Sequence, residues 1–444
     1  MTTGATAHEG SKPPCLREDA LAVLTRLREA GHVAYFAGGC VRDELLGLTP
    51  KDYDVATDAP PDRVRELFTN TQAVGAAFGV ILVRHKKSVV EVATFRTDGK
   101  YLDGRRPEAV TFTTAEEDAK RRDFTINGLF LDPISNKVID YVGGQADLKN
   151  KVLRAIGDPN HRFDEDHLRL LRAVRFAARF GLEIEPATAA AMKTNAPQLA
   201  RISPERIAEE LRLTLTSSTR DRAWGMLQQF ALDTVIFRFL KLPWNEPHPE
   251  VRGARETVLF ADVIPGQPIP FALALAAAVL EYAAQRLPHL VEWPRVLLEL
   301  TVRSVVQALR QALRLSNDET DLLQGTLYGV EFLLREEQPS VAQLKRFLAR
   351  PAANYSRALL AALPLSGDPR IRDDVEERLR ELEQSDFAPA PLVTGDDLTD
   401  AGLMPGPRFK VALDQTYDAQ LERRITTRKE AIEMAVRIAK GEPA

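Results

Sequence analysis

The stretch Gly38-Gly39-Cys40-Val41-Arg42-Asp43, followed by Lys51-Asp52-Tyr53-Asp54-Val55, decides the fold. A glycine pair opens a helix, and a short β-type segment with D-x-D comes after it. Side chains alternate across a strand, so Asp52 and Asp54 point to one face. Two carboxylates that close repel each other unless a cation lies between them. Mg²⁺ is the natural choice, because it is a hard ion that takes oxygen ligands and also holds substrate phosphates. The Gly-Gly turn lets a backbone approach those phosphates, and the helix start behind it offers unpaired N–H groups and a positive dipole end. The segment reads as a holder for a metal-bound triphosphate.

Working outward, Leu16 to Ala30 has helical periodicity, and Val33–Ala37, Tyr53–Ala56, Val80–Arg84 and Val89–Phe95 read as strands. Val41–Leu46 and Asp62–Phe68 read as helices, so the first third of the chain is an α/β head. Thr97 to Pro107 is rich in glycine and charge and reads as a mobile loop. From about Arg162 onward strand signals nearly vanish, and helical patterns interrupted by prolines run to the end. The expected fold is an α/β head followed by a multi-domain all-α body and tail. At 444 residues the chain is too long for one ordinary core.

A third carboxylate is wanted beside the D-x-D pair, and Glu91 is the candidate, since it interrupts the apolar run Val89-Val90-Glu91-Val92-Ala93. Arg42 lies on the helix behind the glycines and can pair with phosphate oxygens, while Asp43 reads as capping or orienting. A second constellation, Lys120-Arg121-Arg122-Asp123-Phe124-Thr125-Ile126-Asn127, reads as the start of a helix with Phe124, Ile126, Leu129 and Phe130 on its apolar face. Either this is a helix N-terminus with an acid in its first turn, or Arg122 meets a phosphate and Asp123 or Asn127 a sugar hydroxyl. The spacing alone does not separate the two.

A third constellation runs from Asp164 to Arg179, where arginines recur at 169, 172, 175 and 179. At roughly 100° per residue they share one face, with Leu170, Leu171, Val174 and Ala178 on the other. Such a stripe can be an ordinary solvated face. All four are Arg and none is Lys, however, and the planar guanidinium fork suits base edges and phosphate. Asp166 precedes Arg169 by three, so acceptor and donor are expected side by side on the helix, able to pair with a nucleobase edge without a template.

The bulk numbers narrow the class. The net charge is −4, so a nucleic-acid partner needs a local basic surface. Only Cys15 and Cys40 are present, which excludes a disulfide framework and fits a reducing cytoplasm. No apolar run is long enough to span a bilayer, and Met1 to Pro14 does not read as a signal peptide.

These segments together resemble the class II tRNA nucleotidyltransferase/poly(A) polymerase family. The matching motifs are G-G-x-V-R-D with D-Y-D, R-R-D-F-T-I-N, and E-D-x-x-R-x-x-R, in that order, with FRTDGKYLDGRRP between the first and second and Glu205-Arg206-Ile207-Ala208-Glu209-Glu210 after the third. The strong match covers roughly residues 33–215. The resemblance implies that Asp52 and Asp54 bind two Mg²⁺, with Glu91 as third carboxylate. It implies that Gly39 and Arg42 touch the triphosphate, and that Arg122 and Asp123 hold phosphate and ribose. Asp166 and Arg169 would mimic Watson–Crick pairing with cytosine or adenine, supported by Arg172 and Arg175. The implied activity is addition of C, C and A to the 3′ end of tRNA from CTP and ATP in the cytoplasm, with the acceptor arm as RNA partner and no role for DNA or a membrane.

Poly(A) polymerase, CC-adding and A-adding enzymes compete within the family, and a non-catalytic RNA-binding module of the same fold is the reading from another class. The loop at 97–107 argues against a CC-only enzyme, and the presence of Asp52, Asp54, Glu91 and Arg122 argues against a non-catalytic module. The implied organisation is a disordered terminus (1–14), a nucleotidyltransferase head (15–150), a helical nucleotide-selecting and RNA-binding domain (151–240), a helical domain resembling a degenerate HD domain (241–385) and a tRNA-binding tail (386–444). In the fourth of these, Leu280 and Glu281 stand where relatives carry a His-Asp metal pair, and Glu256 where a His is expected; His248 reads as a loop residue. The tail carries Val393-Thr394-Gly395-Asp396-Asp397-Leu398 and Gly402 to Pro407, which read either as a capped helix hairpin or as a contact with the tRNA elbow.

Overall fold

The computed structural model describes residues 16–75, 79–99, 110–240, 263–284, 301–334, 339–363 and 369–441. The chain divides into two compact units. One runs to Thr214 and includes Gly225–Ile236; the other holds Leu215–Trp224 and everything from Phe237 onward.

The first unit begins with α1 (Arg17–Glu29), whose Val23, Leu24 and Leu27 are buried and whose first turn carries Glu18 and Asp19, where the helix dipole favours acids. There follow β1 (Ala34–Ala37), α2 (Gly39–Leu45), β2 (Val55–Thr57), α3 (Pro61–Leu67), β3 (Thr71–Gly75), β4 (Val80–His85) and β5 (Ser88–Thr94). Next come β6 (Arg96–Asp98), β7 (Val110–Phe112), α4 (Ala115–Lys120), β8 (Leu129–Asp132), β9 (Lys137–Asp140) and α5 (Gly144–Lys149). Seven strands form one sheet in the order β3-β4-β5-β2-β1-β8-β9. Only the β2–β5 pair in it is parallel among the described residues.

Register assigns the faces. Phe36 lies opposite Val55, and Val55 beside Val92, so these three share one face, which α1 and α3 cover. All three are buried, and each contributes about 1.5–3 kcal/mol to folding. One residue along, Ala37, Asp54 and Glu91 share the other face. There Phe95 and Phe130 pack with Ala115 and Ala119 of α4, so α4 roofs part of that face.

Two expectations shift. The strand expected at Tyr53–Ala56 is Val55–Thr57, although the Asp54 carbonyl still accepts the Ala37 N–H at 3.0 Å. The helix expected to begin at Arg121-Arg122-Asp123 is absent. Arg121 closes α4, Phe124 is extended, Thr125–Asn127 form one 3₁₀ turn, and Leu129 opens β8. The apolar spacing looked helical because a 3₁₀ turn has a near-helical period and β8 is buried along most of its length. Of the loop expected at 97–107, residues 100–109 lie outside the described residues, and their flanks β6 and β7 pair as an antiparallel ribbon.

The first unit continues with β10 (Val152–Leu153), α6 (Pro159–Glu165), α7 (Arg169–Phe180), β11 (Glu183–Ile184), α8 (Pro186–Asn195) and α9 (Pro204–Leu215). Leu170, Leu171, Val174 and Ala178 of α7 are all buried, and Gly181 ends the helix at φ +66°, a left-handed C-cap.

The second unit is helical throughout its described elements. The helix Phe271–Ala284 is buried on every side from Phe271 to Ala283, including Leu280 and Glu281. His248 and Glu256 lie outside the described residues. Helices Asn317–Leu333 and Ala353–Ala362 meet closely at Gly329, where a Cβ would fall 2.1 Å from Ser356 Oγ. Near the end, Gly395–Asp400 starts with a capping box from Thr394 and Asp397, and Pro407–Leu421 and Arg428–Lys440 form a hairpin. Arg428 donates to Asp397 at 2.5 Å. No helix among the described residues is long and apolar enough to cross a membrane.

Candidate functional site

A cleft of about 1000 Å³ opens in the first unit over the sheet face that carries Asp54 and Glu91. Its floor is Ala37, Ala56 and Ala93, small side chains on three adjacent strands that leave room above the sheet. Asp52, Asp54 and Glu91 all line it. Tyr53 between the two aspartates is buried on the other side and donates its hydroxyl to Glu44 at 2.7 Å, so the expected alternation holds. The donor set is all carboxylate oxygen and suits a hard divalent cation. The acids stand open on the cleft; among the described residues no three His, Cys, Asp or Glu side chains close into a cage of their own.

Gly38 makes the turn above this floor, at φ +70°, a conformation that disfavours any side chain. A Cβ there would also fall 2.7 Å from Arg122 Nη1. Gly39 begins α2. Arg42, on that helix, is 5% exposed. It donates to Asp43 at 2.6 and 2.9 Å and to Asn127 Oδ1 at 2.5 Å, and its guanidinium lies 4.4 Å from the Phe180 ring centroid. Burial lowers its pKa, and Asp43 opposes that shift.

Arg122 also lines the cleft, held by Asp118 at 3.0 Å and by the Asn127 carbonyl at 3.1 Å, and set over Phe130. Asp123 is buried. It accepts from Arg172 at 2.6 and 2.8 Å, from Asn127 Nδ2 at 2.9 Å and from the Phe124 N–H at 2.8 Å. Burial alone would raise its carboxyl, but Arg172, Asn127 and Arg169 outweigh burial and hold it at about 2.

The four arginines of α7 all face the cleft, so the stripe is not a solvated face. Arg169 donates to Glu165 at 2.6 Å, Arg172 to Asp123, and Arg175 to Glu210 of α9; Arg179 sits 3.7 Å from Asp43. Asp166 and Arg169 are brought to one cleft wall, but not as neighbours on a helix surface. Asp166 caps α6 in an extended conformation, φ −148°, and its carboxylate accepts from Arg206 at 2.8 Å and the Leu168 N–H at 3.1 Å. The helix begins only at Arg169, so the three-residue spacing does not pair them.

Several participants escaped the sequence reading. Asp118 precedes Arg121 and Arg122 by three and four residues, and Glu165 precedes Arg169 by four, so both pairings were open to helix-spacing rules. Arg206 falls in the Glu205–Glu210 stretch that matches the family, but its pairing with Asp166 has no local signal, because the two are 40 residues apart.

A mixed sheet that presents carboxylates from adjacent strands beneath a Gly-Gly turn, joined to an arginine-faced helix, defines a nucleotidyltransferase head with a helical companion. Consistently, the Poly A polymerase head domain family matches residues 34–154, and the family described as the probable RNA and SrmB-binding site of polymerase A matches 181–242. The chain is 42% identical over 226 residues to the CCA-adding enzyme of Geobacillus stearothermophilus; this covers 51% of the chain and 55% of the relative, so at that identity the chain spans about half the length of the curated relative it matches. It is 33% identical over 437 residues to the CCA-adding enzyme of Geobacillus kaustophilus (strain HTA426), covering 95% of this chain and 96% of that one. The crystal structure of the Bacillus stearothermophilus CCA-adding enzyme in complex with CTP superposes with a TM-score of 0.68 at 28% identity, covering 96% of this chain and 98% of that one. The chain belongs to the CCA-adding enzyme family.

Proposed function

We propose that this chain adds C, C and A to the 3′ end of tRNA from CTP and ATP, choosing each base with protein side chains. The observation that carries the reading is that the acids Asp52, Asp54 and Glu91 share one cleft with Asp166 and Arg169, in a chain similar to CCA-adding enzymes along nearly its whole length. Asp52 and Asp54 are the groups that would hold Mg²⁺, with Glu91 beside them. Bound there, Mg²⁺ would neutralise phosphate charge and favour the ionised form of the attacking hydroxyl.

The 3′ oxygen of tRNA attacks the α-phosphorus in line, and the bond to pyrophosphate breaks as the new phosphodiester forms. Gly39 and Arg42 receive the triphosphate at the turn. Arg122 and Asp123 hold phosphate and ribose. Asp166 offers an acceptor and Arg169 a donor to the base edge, and Arg172 and Arg175 support the nucleotide from the same helix. Arg206 and Glu165 keep the reading pair from swinging. No covalent intermediate is required. The tRNA substrate and a sequence with only two cysteines fit a cytoplasmic enzyme.

Asp54→Asn tests the reading. Transfer should fall by about a thousandfold or more, with CTP binding kept within a few-fold. Wild-type turnover in this variant would end the assignment. The competing readings within the family separate on tRNA lacking one, two or three terminal nucleotides. Addition that stops after A supports the proposal, and a long A tail on any RNA would make the chain a poly(A) polymerase.

A further inference from the structure

Arg162 lies on α6, outside the arginine stripe, and its guanidinium ties together the segment after β10, the end of its own helix and the end of α4. Its Nε donates to the Ile156 carbonyl at 2.9 Å. One terminal nitrogen donates to Glu165 Oε2 at 2.8 Å, and the other to the carbonyl of Lys120, the last residue of α4. Glu165 Oε2 in turn accepts from Arg169 at 2.6 Å, and the same Arg169 nitrogen donates back to the Arg162 carbonyl at 2.9 Å. Arg162 and Glu165 are each only 16% exposed in their side chains, and Arg169 is 9%. The relay therefore runs from the end of the head's helix α4, through one guanidinium and one carboxylate, to Arg169 on the cleft wall.

We propose that Arg162 is a positioning residue for base selection: it fixes Glu165, and through Glu165 the angle at which Arg169 meets the nucleobase edge. This rests on the functional reading above. A planar fork with five donors can serve three partners at fixed angles, which a lysine ammonium cannot do. Without it, Glu165 retains His161, which is 72% exposed, and Arg169, a looser pair of partners. Arg169 would then reach the base edge from a wider range of positions. Discrimination suffers from such looseness more than affinity for the phosphates does, because it depends on hydrogen-bond angle at one edge.

The test compares wild type, Arg162→Lys and Arg162→Gln on tRNA lacking its last three nucleotides, measuring kcat/KM for CTP and UTP separately, with KM for tRNA and the melting temperature alongside. Arg162→Gln should lower kcat/KM for CTP about tenfold and for UTP by much less, narrowing the ratio about tenfold, with KM for tRNA within twofold. Arg162→Lys, which keeps a cation beside Glu165, should fall between and remain folded. Equal losses for both nucleotides, or an unchanged ratio in Arg162→Lys and Arg162→Gln, would overturn the role. A wild-type protein that adds neither nucleotide would take the functional reading down first and this proposal with it. A discriminating wild type beside unaltered variants removes Arg162 alone.

Discussion

At the scale of single residues, Gly38 is a position with little latitude. Its φ of +70° and the 2.7 Å approach to Arg122 leave no place for a methyl group. Gly38→Ala should destabilise the protein by about 1–2 kcal/mol and raise KM for CTP about tenfold, because Arg122 must move. Urea unfolding and steady-state kinetics on the same sample measure both. Cys40 is the opposite case, a group made inert by its surroundings. It is 3% exposed, and burial, with Asp54 adding to it, pushes its thiol up to about 12. In a Cys15→Ser background it should react with a thiol reagent only after denaturant is added.

Asp123 sets a pH dependence whose sign is fixed. Its folded value of about 2 lies below the unfolded value of about 3.9. It therefore contributes stability that is fully present above the unfolded value and is lost as pH falls toward 2, about 2 kcal/mol in all. Urea unfolding of wild type between pH 5 and pH 2 should show that loss, and Asp123→Asn should show a shallower decline. At this scale the acids were legible from D-x-D and from one carboxylate in an apolar strand, because period-two alternation is a local rule. The pairings of Arg206 and Glu210 were not, although their stretch had been singled out, because they are made across a fold that brings α9 against Asp166 and Arg175.

At the scale of elements, α7 shows why an arginine stripe is ambiguous in sequence. The spacing places the four on one face, and only the neighbours decide what that face meets. Three of the four end on carboxylates from α6, the Arg121–Asp123 segment and α9. The Arg121–Asn127 segment misled for a related reason. Its 3₁₀ turn and following strand are specified by pairing with β1, Ala37 against Phe130, which no local period reports. The helix Phe271–Ala284 carries a prediction of its own. Leu280 is fully buried and has no donor atom, and Glu281 is 8% exposed. The purified protein should release no phosphate from phosphomonoesters or cyclic nucleotides with Mn²⁺ or Ni²⁺ present, measured against a buffer blank. Metal-dependent turnover that Glu281→Ala abolishes would show that this helix carries a working centre.

At the scale of the whole molecule, the division into an α/β first part and a helical remainder was open to inspection, since strand periodicity stops where helical periodicity takes over. The boundary between the two units was not. Leu215–Trp224 belongs with the second unit and Gly225–Ile236 with the first, a crossing that no change of composition marks. The net charge of −4 makes RNA binding a matter of local surfaces. Affinity for tRNA should fall about ten- to hundredfold between 50 and 200 mM salt, measured by filter binding. A salt-insensitive affinity would mean that phosphate contacts contribute little.

Nine arginines and six carboxylates line the cleft among the described residues, and four more carboxylates, Asp43, Asp118, Glu165 and Glu210, hold those arginines from behind. Positive and negative nearly cancel before anything arrives. An idle enzyme surrounded by orthophosphate and bare nucleotides thus offers them little electrostatic lure. A visitor that brings its own divalent counter-ion is the one whose charges find complements on both sides, so occupancy and readiness to react coincide.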